Sequence, residues 1–180
     1  MDAFVLKEIL PDRLHVLSNM LQLYAHDMNE SFRYSIVLDD NGRYRIKPAE
    51  KYLSEGWGYF IIVRCEYAGF ILLNHQTRTR EGTFIAEFYI LPRFRRGFFY
   101  RDVIATLLSV LDGIVEFRVL KNNKLALLLF DDLAKKYLSV IQRTDVYENG
   151  SECILYSFNT ANIIYDISKY KGHIRPAGRA

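Results

Sequence analysis

The stretch TFIAEFYILPRFRRGFFYRDVIATLLSVLDGIVEFRVL, residues 83–120, changes its apolar period twice. TFIAEFYIL is rich in β-branched and aromatic residues and reads as a strand. After FRRGFFY, residues Val103, Ile104, Leu107, Leu108 and Leu111 recur at helical spacing, and Asp112-Gly113 ends that run before the strand-like IVEFRVL. Strand, helix and strand in this order predict a parallel crossover pair, because parallel neighbours need a long connection.

Upstream, residues 3–8 read as a short strand, and Pro11-Asp12 opens a helix whose apolar positions are Leu14, Leu17, Leu21, Tyr24 and Met28. From Asn29 to Gly56 the pattern loosens. Asn41-Gly42 signals a turn, and KPAEKYLSEG resembles a short helix opened by Pro48 and stopped by Gly56. That segment is either structure lying over a binding face or simply a long loop. WGYFIIVRC and FILLNH, divided by the turn-like EYAG, then join TFIAEFYIL as three adjacent strands. Downstream, a helix from about Asn123 to Tyr137 uses Leu125, Leu128, Leu129 and Leu133, and a hairpin turns at Asn149-Gly150 between SVIQRTDVY and SECILYSF. There is no internal repeat, low-complexity tract or linker. The order predicts a mixed α/β sheet with helices on both faces, one domain over residues 1–168 and a basic, flexible tail over 169–180.

A chain of 180 residues, 50% hydrophobic and 14% aromatic, has ample material for one core. Its apolar runs, YFIIV at 59–63 and LALLLF at 125–130, fall far short of the roughly 20 residues of a membrane span. No basic region leads into an apolar one at the N-terminus, so a cytoplasmic protein without membrane association is expected. Lys169, Lys171, Arg175 and Arg179 account for more than the formal net charge of +3, which leaves a nearly neutral body and no case for nucleic-acid binding by the fold. Cys65 and Cys153 sit in strand-like apolar surroundings and read as buried thiols, and no Cys or His spacing suggests a metal.

The start of the helix near Tyr100 is the first candidate site. Free N–H groups and the positive end of the dipole favour an anion there, and Arg95 and Arg96 add charge. On pattern alone, arginines before a helix also fit a solvated loop. Glu87 is the second candidate, as the only charge in TFIAEFYIL, with Ile85 and Tyr89 expected on its strand face. A carboxylate in a central strand costs several kcal/mol unless paired or protonated, and burial would raise its pKa toward the range of a general base. It is either that base or a structural carboxylate hydrogen-bonded to an arginine or a tyrosine. Tyr24, His26 and Asp27 on the first helix, and His75 at a strand end, are candidates for an acceptor site, with Tyr24 also fitting the core and His26 and Asp27 a solvated face.

Three segments resemble the Gcn5-related N-acetyltransferases. LSNMLQLYAHDMNESF, residues 17–32, is similar to the first helix of a bacterial branch of that family, and residues 85–123 are similar to its coenzyme-binding core without a gap. NKLALLLF, 123–130, stands where the family has Asn-x-x-Ala-x-x-Phe-Tyr or Phe-Trp. The resemblance spans most of residues 3–158 and implies a mixed, largely antiparallel sheet of about seven strands with helices on both faces. It also implies acetyl-coenzyme A or another acyl-coenzyme A as donor and an amine as acceptor. Backbone groups of Tyr89, Ile90 and Leu91 would hold the pantetheine arm. The loop Arg95, Arg96, Gly97, Phe98, Phe99, Tyr100 and Arg101 would meet the pyrophosphate, Asn123 would contact coenzyme or substrate, and Glu87 would act as base.

The chain departs from the family pattern Arg/Gln-x-x-Gly-x-Gly/Ala. Arg95 takes the leading position, but Phe98 and Tyr100 stand at the two glycines, where some backbone conformations cost a side chain about 1–2 kcal/mol. Phe130, which has no hydroxyl, occupies the place of the tyrosine that protonates the departing thiolate in many relatives. Three functions follow: an N-acyltransferase, a module of the same fold whose cleft the aromatics plug, or an acyltransferase served by an acyl carrier protein that meets Arg93, Arg95, Arg96 and Arg101. Asn123 also fits a simple helix cap. The last hairpin offers an edge for a homodimer.

Overall fold

The computed structural model describes residues 3–32, 36–78, 81–95, 99–137, 141–148, 150–163 and 174–175. Among them are β1 (Phe4–Glu8), α1 (Leu14–Phe32), α2 (Ala49–Glu55), β2 (Gly56–Val63), β3 (Glu66–Asn74), β4 (Gly82–Ile90), α3 (Phe99–Leu108), β5 (Ile114–Leu120), α4 (Lys124–Tyr137), β6 (Gln142–Glu148), β7 (Ser151–Asn159) and the two-residue β8 (Ile174–Arg175). The strands form one sheet in the order β6-β7-β5-β4-β3-β2-β1-β8. Its seven longer strands are antiparallel except for β4–β5, which run parallel across α3. The strand–helix–strand reading of residues 83–120 is thus the observed crossover. β8 pairs in parallel with Leu6 and Lys7 of β1, and the rest of residues 164–180 lies outside the described residues.

The helices cover both faces. Leu17, Met20 and Leu21 of α1 and Ala49 of α2 pack on Phe60, Phe70, Leu72 and Tyr89. Val103, Ile104 and Leu107 of α3, with Phe130 and Leu133 of α4, pack on Ile61, Ile71, Ile85, Val115 and Phe117. Opposite faces of β3 and β4 therefore feed two cores, as expected of strands covered on both sides.

Three local expectations change. The β2–β3 turn is Arg64-Cys65, not EYAG. Both residues have positive φ, 49° and 65°, and Val63 pairs with Glu66, so EYAG belongs to β3. This is a two-residue hairpin turn built without glycine or asparagine, so its usual signal is missing. Cys65 is consequently exposed rather than buried, while Cys153 on β7 is buried as expected. The apolar face of α4 is also rotated. Leu128 is 69% exposed, and Phe130, Leu133 and Ala134 make the buried face because Phe130 meets Phe117 at 4.1 Å between ring centroids.

The loop between α1 and α2 is strapped to α1 by two side-chain amides that imitate a strand edge. Gln22 Nε2 donates to Tyr44 O (3.2 Å) and its Oε1 accepts from Tyr44 N (2.8 Å). Asn29 does the same for Ile36, at 2.8 and 2.9 Å. A short turn at Asp39–Gly42, with Gly42 at φ 72°, joins the two strapped points.

Candidate active site

β4 and β5 share a ladder only from Gly82–Ile114 to Ile85–Phe117. Beyond it β4 follows β3 to Ile90, and β5 follows β7 to Leu120. Strands that leave a common ladder for different partners diverge, and a cavity of about 460 Å³ lies in the gap. Leu21, Tyr24 and Tyr52 line it from the α1/α2 layer, and Phe117, Val119, Leu129 and Phe130 from the α3/α4 layer. The cavity therefore reaches through the sheet. Ile36 and Ile46, on the strapped loop, complete its wall. The same segment that was ambiguous in the sequence is thus a cover over the cleft.

A bulge decides which way Glu87 points. Leu72 pairs with Glu87 and Leu73 with Ile85, so Ala86 is an extra residue in β4. The insertion resets the two-residue alternation. Ile85 packs in the α3/α4 core and Tyr89 in the α1/α2 core, which corrects the expectation that both flank Glu87 on one face. Glu87 faces α1 and α2. Tyr24 donates to its Oε2 at 2.7 Å and Tyr52 to its Oε1 at 2.9 Å. Burial pushes the Glu87 carboxyl above its ordinary range, and the two hydroxyl donors and the nearby Arg118 and Lys47 oppose that rise. Tyr52 is itself held above the usual phenol range by burial and by the carboxylate it serves.

The ladder also sorts the backbone groups of β4. Leu91 N donates to Ala68 O at 2.8 Å, so by antiparallel alternation the backbone of Tyr89 and Glu87 also turns toward β3. Phe88 and Ile90 turn the other way, toward the gap, where β5 offers no ladder partner. Ile90 O already accepts from Arg95 Nε at 2.6 Å.

Arg95 is folded back onto the domain. Its guanidinium pairs with Asp27 of α1 and lies 5.4 Å from the ring of Tyr89, whose hydroxyl also donates to Asp27 at 3.1 Å. Asp27, which the sequence allowed as a solvated residue, is instead the hub that ties α1 to the end of β4. Arg96, Gly97 and Phe98 lie outside the described residues. Phe99 packs edge-on against Phe4, with ring centroids 5.5 Å apart, and Tyr100, half-buried in the first turn of α3, stands on the cavity wall. Arg101 lies 3.9 Å from Asp132, and Arg93 pairs with Glu66. Each described arginine of this loop thus faces a carboxylate.

Asn123 Oδ1 accepts from Ala126 N at 3.0 Å and caps α4, with the residue also lining the cavity. Phe130 is 8% exposed against Phe117, which stacks in turn on Tyr156 at 4.9 Å. His26 pairs with Tyr44 (3.0 Å) and His75 lies against Trp57 (4.8 Å between rings), and neither lines the cavity. No group of three or more potential metal ligands occurs among the described residues. No described helix is long and apolar enough to cross a membrane.

The sequence reading missed Lys47, Tyr52, Arg118 and Glu148, all on the cavity wall. Arg118 carried a usable signal, since Glu116 and Arg118 alternate with Val115, Phe117 and Val119 and so mark a polar face on a central strand.

A sheet whose parallel central pair splays open beside a helix start defines the fold of the Gcn5-related N-acetyltransferases, and this chain has that fold. A solved spermidine N-acetyltransferase from Vibrio cholerae, in complex with CoA and spermine, superposes with a TM-score of 0.62 at 11% identity, covering 88% of this chain and 96% of that one. A GNAT-family acetyltransferase from Bacillus cereus gives 0.56 at 13% identity, over 87% and 96%. An acetyltransferase from Bacillus subtilis in complex with CoA gives 0.52 at 15%, over 88% and 99%. No protein-family model matches the sequence, and no curated protein matches it.

Proposed function

We propose that this chain is an N-acyltransferase that moves an acyl group, acetyl in the first instance, from acyl-coenzyme A to an amine by direct attack. One observation carries the reading: the gap between β4 and β5 joins both layers of the sheet in one cavity, and Glu87 stands on its wall. The acetyltransferase activity and bound CoA of the solved neighbours support it. The backbone of Phe88 and Ile90 would receive the pantetheine arm, between the apolar side chains of Phe117, Val119, Ala126 and Leu129. The start of α3 and Arg95 would receive the phosphates once Arg95 exchanges Asp27 for them.

The donor supplies an activated thioester. Glu87 takes a proton from the acceptor ammonium, and burial raises its pKa in the direction a general base needs. Nitrogen then bonds to the acyl carbon as the carbon–sulfur bond breaks, and the second proton lost by nitrogen balances the departing thiol. A β4 N–H facing the gap, such as that of Phe88, is placed to meet the developing negative oxygen. Phe130 brings no proton to the sulfur. Tyr24 and Tyr52 orient the carboxylate.

Calorimetry with acetyl-coenzyme A should show micromolar binding, and Glu87→Gln should lower kcat by about 10²–10³ with little change in that affinity. A plugged, non-catalytic module is favoured by two details, the engagement of Arg95 by Asp27 and the placement of Tyr100 on the cavity wall. That reading expects no binding by the native chain and a gain of affinity in Tyr100→Gly.

A further inference from the structure

On the α1/α2 side of Glu87 lies a second cavity of about 310 Å³, sharing Lys47, Glu87, Arg118 and Glu148 with the first. Its electrostatics are uneven. Arg78, beyond the end of β3, stands 2.8 Å from Glu148 Oε2, and Arg118 of β5 pairs with that same oxygen. Two guanidinium groups thus share one carboxylate, and they lower its pKa against the effect of burial. Lys47 faces the same cavity, and its own partner, Glu55, stands outside the lining. Glu116 accepts from the backbone N–H of Arg78 at 2.6 Å but is fully buried and also outside the lining. Among the described residues, the wall therefore presents three cations against Glu148, already shared, and Glu87.

Each guanidinium offers several N–H donors in a plane, and Glu148 occupies one nitrogen of each. Arg118 is braced by the ring of Phe84, 4.9 Å from its guanidinium carbon. A braced arginine beside a second one is suited to two-point recognition of a carboxylate. A polyamine brings the opposite charge, and its distal ammonium would enter among Lys47, Arg78 and Arg118, where the acids of the described lining are the shared Glu148 and the base itself. The volume suits a small molecule.

We propose that the acceptor is a small amine bearing its own carboxylate, held by Arg118 and Arg78 while its amino group meets Glu87. The proposal rests on the acyltransferase reading above and departs from the polycation bound by the spermine-complexed neighbour.

The test uses the full chain with saturating acetyl-coenzyme A, thiol release as the readout and product mass as confirmation. Acceptors are γ-aminobutyrate, glutamate and lysine, their carboxamides, 2-aminoethylphosphonate and spermidine. At least one aminocarboxylate should exceed its amide about tenfold in kcat/KM, and spermidine should be poorer still. Arg118→Gln and the more exposed Arg78→Gln should each raise KM for the aminocarboxylate about tenfold, and Arg78→Gln, outside the first cavity, should leave the calorimetric affinity for acetyl-coenzyme A unchanged. The second variant serves as the control should the first fail to fold. Binding of acetyl-coenzyme A with spermidine, the amides or the phosphonate as the preferred acceptors overturns this inference alone. So does an aminocarboxylate KM indifferent to Arg78. Failure to bind acetyl-coenzyme A overturns it together with the transferase reading.

Discussion

Glu87 was visible in the sequence as a lone charge in an apolar strand, but its partners were not. Tyr24 and Tyr52 lie 63 and 35 residues away, and nothing local says that α1 and α2 bring their hydroxyls to one carboxylate. Glu87 is hydrogen-bonded to two tyrosines, as the structural interpretation expected, and it also faces the cavity, where the proposed function uses it as a base. Its titration gives a prediction at this scale. A carboxyl whose folded pKa is raised contributes stability that is full below its ordinary value of 4.5 and is lost as pH rises through the folded value. Glu87→Gln should therefore melt at a higher temperature than the native chain at pH 8, with the gap closing toward pH 4.5. Tyr52→Phe removes a donor to the ionised form, so it should shift the acid limb of kcat to higher pH.

Among the elements, regular pieces followed their periodicity and irregular ones did not. α3 and β5 fall where the apolar spacing put them, because Val103, Ile104, Leu107 and Leu108 of the helix and Val115, Phe117 and Val119 of the strand feed one core. The Ala86 bulge and the Arg64-Cys65 turn carry no such mark. A bulge is a mismatch between two strands, so it exists only in their pairing. Asn123 illustrates a residue whose pattern fits two roles. Its side chain caps α4, so Asn123→Ala should cost about 1 kcal/mol in urea unfolding, with Asn123→Ser recovering most of it. If capping is its whole part, KM for acetyl-coenzyme A stays within about twofold of the native value, whereas a coenzyme contact would raise it by a charge-free hydrogen bond, about five- to tenfold.

For the whole molecule, the decisive feature is the divergence of β4 and β5 after Ile85–Phe117. Ala126, half-buried on α4, lines the resulting cavity where a larger side chain has space to enter. Ala126→Trp should abolish acetyl-coenzyme A binding, with a loss of about 100-fold or more in affinity, while the melting temperature changes little. Retained affinity would mean that the coenzyme does not pass between the strands.

The sequence by itself determined the order of strands and helices, the parallel crossover and the presence of a carboxylate on β4, because apolar periodicity and turn chemistry act over a few residues. Only the tertiary structure decided the face on which Glu87 lies, the two tyrosines that hold it, the capture of Arg95 by Asp27 and the convergence of Arg78 and Arg118 on Glu148. Those outcomes depend on the register and divergence of strands that lie far apart in the chain, and on which buried charges then find partners.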